Sequence, residues 1–209
     1  MGLREIVEKI YASFDARNKT RDYLLGEFRK VLKATREAIA ASHRDELDAA
    51  GTMLNDAKSI LAAAQTELAK VPGLPVTGLV QNAEGEVVEA TLILAFRKEE
   101  AFVGPEDLGV GEVGYLLGLG DFVGELRRVT IDALTKDNLA LAKRAFSQME
   151  EVYSILLTFD FPNALTPGLR AKTDVARRLV ERTRADISSE IQRSRLLAGI
   201  HKLHKSLKN

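Results

Sequence analysis

Two pairs of carboxylates stand at helical spacing in this sequence, and they are its clearest candidates for chemistry. Glu86 and Glu89 lie three positions apart in "GEVVEA", and Asp121 and Glu125 lie four apart in "GDFVGELRR". On an α-helix, residues three or four positions apart share one face. Like charges at this spacing repel each other by a few tenths of a kcal/mol, and burying them costs far more. We therefore expect each pair to have a counter-charge or a function.

A hard divalent cation would satisfy both pairs if antiparallel packing of their helices brought the four carboxylates together. Without a cation, at least one carboxyl pKa would rise sharply in a low dielectric. Mg²⁺ or Mn²⁺ prefers oxygen ligands, can bind a phosphate oxygen and can activate a water molecule. The pattern therefore predicts metal-assisted phosphodiester hydrolysis, with metal ligands and catalytic groups at Glu86, Glu89, Asp121 and Glu125.

Simpler interpretations of the same residues remain open at this point. A Glu-x-x-Glu pair is common on a solvated helix face, and Asp121 and Glu125 could pair with Arg127 or Arg128. A di-iron bundle would require Glu-x-x-His motifs, and the sequence has none. The absence of cysteine excludes thiolate metal sites and disulfides, and three histidines make a histidine-based zinc site improbable.

The segment around Asp121 is also rich in glycine, with Gly114, Gly118, Gly120 and Gly124 inside a predicted helix. Each interior glycine costs about 0.5–1 kcal/mol relative to alanine. Either close helix–helix packing or the close approach of a bulky ligand backbone such as RNA would offset this cost.

The composition is that of a globular protein. The chain has 209 residues, 45% of them hydrophobic, and its 30 basic and 30 acidic residues balance. There is no signal peptide and no apolar run long enough to cross a membrane, so we expect a cytoplasmic protein. Residues 160–209 contain eleven Lys and Arg against five Asp and Glu, which indicates that charge is segregated along the chain.

Apolar residues recur every three or four positions, and strand signals are nearly absent. Loops are predicted where proline and glycine cluster, at 71–78, 103–111 and 160–168. The pattern predicts a single domain over 1–209, an all-α antiparallel bundle of seven helices. The first predicted helix covers about 3–42 and the second ends near 69. The third covers about 79–101 and the fourth 112–134. The fifth is capped by Asp137 and ends near 159, the sixth covers 169–196, and a short seventh follows Gly199.

Basic residues that could hold RNA phosphates lie on the first helix and beside the second acidic pair. Positions 29, 33 and 36 form one basic stripe on the first helix. Arg128 follows Glu125 by one helical turn. The alternative for the stripe is ordinary surface ion pairing with Glu27 or Glu37. We expect RNA contacts at Lys33, Arg36 and Arg128.

Four segments, taken in order, resemble the translin family, and in particular its translin-associated factor X branch. They are "LKATREAIAASHR", "GEVVEA", "GLGDFVGELRR" and "DFPNALTPGLRAKTDVARRLVERTRADI". The resemblance implies a seven-helix all-α fold and a hollow octamer that encloses nucleic acid. It also implies a metal-dependent endoribonuclease that cuts single-stranded RNA. The catalytic acids of that branch fall on Glu86, Glu89, Asp121 and Glu125.

The translin branch offers the main alternative, a non-catalytic scaffold that binds single-stranded RNA or DNA. That branch lacks the Glu-x-x-Glu pair and the aspartate at position 121, and it keeps a glutamate at position 125, so Glu125 could be partly structural. The basic approach to the third helix seen in translin is replaced here by "PVTGLVQNAEGE". We expect a homo-octamer, with a translin-like partner as the alternative, because animal factor X members form hetero-octamers with translin. A helical oligomer that binds no nucleic acid is the third possibility.

Overall fold

The computed structural model describes residues 2–208, except for the side chain of Lys202, and this range is built of α-helices, turns and loops without a strand. None of these helices is both long and apolar enough to cross a membrane. The all-α, seven-helix prediction is confirmed. The helices are α1 Leu3–His43, α2 Leu47–Ala69, α3 Thr77–Lys98, α4 Pro105–Leu108, α5 Glu112–Thr135, α6 Leu139–Leu156 and α7 Leu169–Ser206.

The chain divides into two compact units at a point inside α5, between Leu119 and Gly120. The first unit contains α1 to α4 and the N-terminal half of α5. The second contains the rest of α5, together with α6 and α7. The single domain predicted for residues 1–209 stays a prediction, and each unit is described here by itself.

In the first unit, α1, α2 and α3 form an up-down-up bundle in which each helix contacts the other two. Arg17 of α1 donates to the backbone oxygen of Gly73, just beyond the end of α2, at 2.6 Å. Because α1 ends next to the start of α2, this contact makes the two helices antiparallel. Gln65 near the end of α2 donates to Glu84 near the start of α3 at 3.0 Å, so α3 reverses direction again. Leucine, valine and alanine side chains fill the space between the three helices.

Short turns with unusual backbone angles connect these helices. Asp45 has a φ of 67° in the turn between α1 and α2, and Gly73 has a φ of 77° in the turn before α3. The predicted break at 103–111 holds the short helix α4, in which Pro105 occupies the first turn and Gly109, with a φ of 64°, ends the helix. Proline at the start and glycine after the end are the residues that such a helix favours.

In the second unit, α6 and α7 pack against each other, and an asparagine begins α6. The side chain of Asn138 accepts a hydrogen bond from the backbone nitrogen of Leu141 at 3.1 Å. The prediction of Asp137 as the cap was wrong by one residue, because Asp137 has a φ of 54° and belongs to the preceding turn. Arg184 of α7 donates to Glu150 of α6 at 2.6 Å, which ties the middles of the two helices together.

The C-terminal region is one helix instead of the predicted two. α7 continues from Leu169 through Gly199 to Ser206. One interior glycine costs only about 1 kcal/mol relative to alanine, and strong helix formers surround it, so the helix does not end there. The count of seven is instead completed by α4, in a segment that the sequence predicted to be a loop.

The first turns of α1 carry apolar side chains that this chain does not bury. Ile10 is 52% exposed and Phe14 is 64% exposed. The cause is a difference in length: α1 has 41 residues and α2 has 23. Because Arg17 already reaches the turn beyond the end of α2, the residues before it extend past their partner. The spacing of these apolar residues predicts a helix correctly, but not one that is buried in the isolated chain.

Helices α3 and α5 approach each other closely where both carry glycine. A Cβ atom on Gly118 would lie 2.5 Å from the backbone oxygen of Gly85 and 2.6 Å from the Cβ of Val88. A Cβ on Gly114 would lie 2.5 Å from the Cβ of Glu84. Gly114 and Gly118 therefore serve close packing between two helices, and the interpretation that they admit a ligand backbone was wrong for these two positions.

This contact predicts opposite effects for two alanine substitutions on α5. Gly118→Ala should lower the free energy of unfolding by about 1–3 kcal/mol, because the new methyl group overlaps Gly85 and Val88. Gly124→Ala should raise it by about 0.5–1 kcal/mol, because no heavy atom lies within 4 Å of the new Cβ and alanine favours the helix. Urea denaturation of both variants checks the prediction. A Gly118→Ala variant as stable as Gly124→Ala would contradict it.

Candidate functional site

Glu86 and Glu89 lie on α3 and are both half-buried. Glu86 accepts a long hydrogen bond of 3.4 Å from the hydroxyl of Thr35 on α1. Thr35 itself is fully buried and also donates to the backbone oxygen of Leu32 at 3.1 Å. The structure thus places the Glu86 carboxylate against α1, at the part of that helix where the basic stripe lies.

The basic stripe on α1 is exposed, as the sequence predicted. Arg29, Lys33 and Arg36 line an open depression of about 360 Å³ together with Leu32 and Glu37. Lys33 approaches Glu37 at 3.9 Å, a weak contact between exposed side chains that is worth little in water. The stripe therefore presents positive charge to solvent.

Thr35 touches Glu86 and stands between Lys33 and Arg36 in the sequence. It points to a different side of α1 from the basic stripe, because Thr35 is buried and Arg29, Lys33 and Arg36 are exposed. The first unit therefore carries a basic face on α1 and, on another side of the same helix, a contact with the α3 carboxylate Glu86.

Asp121 and Glu125 share one face of α5 and are half-buried. Asp121 is bound by Lys172 of α7, whose Nζ donates to both carboxylate oxygens, at 2.5 and 2.7 Å. The arginine partner considered from the sequence is wrong for Asp121. Arg127 pairs instead with Asp186 of α7 at 3.0 Å and donates to Thr183 at 2.6 Å. The predicted RNA contact Arg128 is exposed on α5.

Among residues 2–208, the structure arranges no group of three or more histidine, aspartate or glutamate side chains to hold a metal ion. Carboxylates are the donors that Mg²⁺ and Mn²⁺ prefer, so the residue types suit such an ion. Lys172 occupies both oxygens of Asp121, so Asp121 would have to release this lysine before it could bind an ion. Metal ligands at Glu86, Glu89, Asp121 and Glu125 stay a prediction.

Glu84 is a third acidic residue on α3, and the sequence analysis missed it. Its side chain is only 6% exposed and accepts a hydrogen bond from Gln65 at 3.0 Å. The same Gln65 amide group also donates to the backbone oxygen of Gly109 at 3.1 Å. Gln65 of α2 therefore connects Glu84 of α3 to the turn that follows α4.

Burial raises the pKa of the Glu84 carboxyl above its usual value, and hydrogen bonds from the Gly111 backbone and the Gln65 side chain oppose this shift. A sequence signal was present: Glu84 precedes Val88 by four positions and Thr91 by seven, which is the spacing of one buried helix face. Gly114, which leaves room for the carboxylate, completes the signal.

Comparison with solved structures extends over almost the whole chain. AfC3PO in complex with duplex RNA has a TM-score of 0.81 and 30% identity, and the match covers 91% of this chain and 98% of that one. AfC3PO alone has a TM-score of 0.78 and 31% identity, with 94% and 100% covered. The chain belongs to the translin/C3PO family. Apo-NeC3PO, at 23% identity, TM-score 0.78 and 88% and 96% coverage, shares the fold.

Comparison of sequences alone covers a smaller part of this translin/C3PO chain than comparison of structures does. No protein-family model matches it. The uncharacterized protein MJ0175 of Methanocaldococcus jannaschii is 35% identical over 120 residues, which are 57% of this chain. The aligned region spans about half of that curated relative, 54% of its length.

The buried carboxyl of Glu84 predicts a pH-dependent difference between the wild type and Glu84→Gln. Because folding raises the Glu84 pKa, the protonated carboxyl contributes to the stability of the wild type. This contribution is fully present below the usual glutamate pKa of 4.5 and is lost as pH rises through the higher pKa of the folded state. Glutamine does not titrate. The free energy of unfolding of Glu84→Gln relative to wild type should therefore rise between pH 4 and pH 7. Urea denaturation across this range measures the slope, and a flat or falling difference would contradict the prediction.

Proposed function

We propose that this chain is an RNA-binding member of the translin/C3PO family that contacts RNA phosphates through the basic stripe of α1. The observation that carries the proposal is the exposed set Arg29, Lys33 and Arg36, which lines one open depression on α1. The comparison supports it, since AfC3PO, 30% identical in the structural match, was solved with duplex RNA. Arg128, exposed on α5, is proposed as a further phosphate contact.

We extend the proposal to catalysis, as an endoribonuclease of the factor X type that acts on single-stranded or partly structured RNA. Its support is the full acidic set Glu86, Glu89, Asp121 and Glu125, which the translin branch lacks in part. A bound Mg²⁺ or Mn²⁺ would supply a polarised phosphate and an activated water. Asp121 would first have to release Lys172, so no step of the reaction is assigned to the ion. The non-catalytic scaffold remains the alternative function.

Self-association is the third part of the proposal. Two groups of exposed apolar residues form surfaces suited to other copies of the chain. One group lies at the start of α1 and includes Leu3, Ile10 and Phe14. The other lies near the end of α7 and includes Leu196 and Leu203. A homo-octamer is the proposed assembly, and a hetero-octamer with a translin-like partner is the alternative.

The basic stripe predicts how RNA affinity depends on charge. The double variant Lys33→Ala/Arg36→Ala should bind a labelled single-stranded RNA roughly tenfold more weakly at low salt, and the slope of log K against log salt should fall by about 1–2. The matched control is Lys19→Ala/Lys30→Ala, on the same helix, where each lysine pairs with an acid of α1 at 2.7 and 2.8 Å. Fluorescence anisotropy from 50 to 300 mM salt measures both quantities.

Equal losses in the two double variants would contradict the role of the stripe. Native mass spectrometry of the same samples, with and without RNA, measures the mass of the assembly. This mass is expected to be a multiple of the 23.0 kDa chain. A parallel titration with duplex RNA shows which form of RNA the protein prefers.

The acidic set predicts cleavage that requires a divalent cation. The triple variant Glu86→Gln/Glu89→Gln/Asp121→Asn should cut labelled RNA at least about 100-fold more slowly than wild type and still bind it. EDTA should stop cleavage by the wild type. The matched control neutralises three exposed acids, Glu106→Gln/Asp107→Asn/Glu112→Gln, and should keep the wild-type rate. Wild-type cleavage by the first triple variant would leave RNA binding as the function.

A further inference from the structure

The side chain of Lys172 crosses α5 at a position that only glycine can provide. A Cβ atom on Gly120 would lie 2.7 Å from the Cβ of Lys172, 3.4 Å from its Cγ and 3.7 Å from its Cδ. The aliphatic stem of Lys172 therefore lies directly over the α5 backbone, next to Asp121. Both residues belong to the second unit, and the sequence separates them by 51 positions.

The ammonium of Lys172 then caps the Asp121 carboxylate. Its Nζ lies 2.5 Å from one carboxylate oxygen and 2.7 Å from the other, with 38% of the lysine and 35% of the aspartate side chain exposed. Both oxygens are engaged by a single cationic group. A divalent cation that used Asp121 as a ligand would need one or both of the same oxygens.

We propose that Lys172 is a built-in counter-ion that competes with divalent cations for Asp121 and so weakens cation binding at this carboxylate. The inference rests on the catalytic part of the proposed function, and it starts from the occupation of both Asp121 oxygens by Lys172. Lys172 acts through Asp121 and is a positioning residue. The alternative is an ordinary interhelical ion pair with no effect on metal binding.

Two electrostatic effects act in the same direction. Binding of an ion to Asp121 breaks a partly exposed ion pair, which is worth up to about a factor of five in equilibrium constant. The displaced ammonium stays tethered to α7 and repels the divalent ion that replaces it. Together they weaken cation binding by roughly tenfold.

The test measures Mn²⁺ binding to the full chain without RNA, by electron paramagnetic resonance of the free ion and by calorimetry. Lys172→Met keeps the Cβ and Cγ that lie over Gly120 and removes the charge. Its dissociation constant for Mn²⁺ should be roughly tenfold lower than that of the wild type. Lys136→Met, which removes an exposed lysine from the turn just after α5, is the matched control and should bind Mn²⁺ as the wild type does.

Two further variants keep the result specific. Lys172→Arg retains the positive charge and should keep the weak affinity, whereas Lys172→Met/Asp121→Asn should lose the gain. If Lys172→Met does not fold, as judged by circular dichroism, Lys172→Gln replaces it, because it retains the same first two side-chain carbons.

Each outcome decides something. Equal Mn²⁺ affinity in wild type and Lys172→Met, with binding present in both, overturns the role of Lys172 and leaves the proposed nuclease intact. A gain in Mn²⁺ affinity that remains in Lys172→Met/Asp121→Asn also overturns the role of Lys172. No Mn²⁺ binding by any variant at millimolar concentration overturns both this inference and the catalytic part of the proposed function, while RNA binding by the α1 stripe is unaffected.

Discussion

The close approach of α3 to the N-terminal half of α5 is the constraint on which the arrangement of the first unit depends. Gly118 leaves no room for a Cβ against Gly85 and Val88, and the Glu84 carboxylate fills the space over Gly114. Each residue of a helix turns by about 100° from the one before it. With Glu84 and Val88 fixed against α5, the side chain of Glu86 must point to the other side of α3, where Thr35 of α1 meets it.

The same constraint explains why one acidic residue on α3 is structural while its neighbours keep a polar environment. Glu84 is buried with an amide and a backbone donor as partners, since a buried carboxylate must be hydrogen-bonded to be tolerated. Glu86, two residues later, is half-buried and accepts a hydrogen bond from Thr35 of α1. Position around the helix, more than residue type, separates the two roles.

Most of the fold could be predicted from the sequence, because apolar spacing and loop-forming residues are local signals. The ends of α1, α2 and α5 fall within about a residue of the prediction. The misses have local causes: Gly199 lies among strong helix formers, and Pro105 begins a helix of four residues inside an apparent loop. The sequence also gave no sign that the apolar side chains at the start of α1 would be exposed, because burial depends on the length of the neighbouring helix.

The candidate site was less predictable, because its decisive contacts join distant parts of the chain. Spacing placed Glu86 with Glu89 and Asp121 with Glu125 on shared faces, and it found the exposed stripe on α1. It could not show that Asp121 binds a lysine 51 positions away in preference to the nearby arginines. Gly114, Gly118 and Gly120 gave a signal for such contacts, since each marks a place where another residue approaches the helix.

The crossing of the Lys172 stem over Gly120 has a consequence for how sequences of this family can vary. With the α5 backbone in contact with a lysine stem, a Cβ at position 120 would clash with the Cβ that every residue except glycine carries at position 172. Glycine is therefore needed at position 120 for α7 to lie this close to α5, whereas the side chain at position 172 can vary beyond its Cβ. A glycine kept at position 120 among relatives would mark the place where α7 crosses α5.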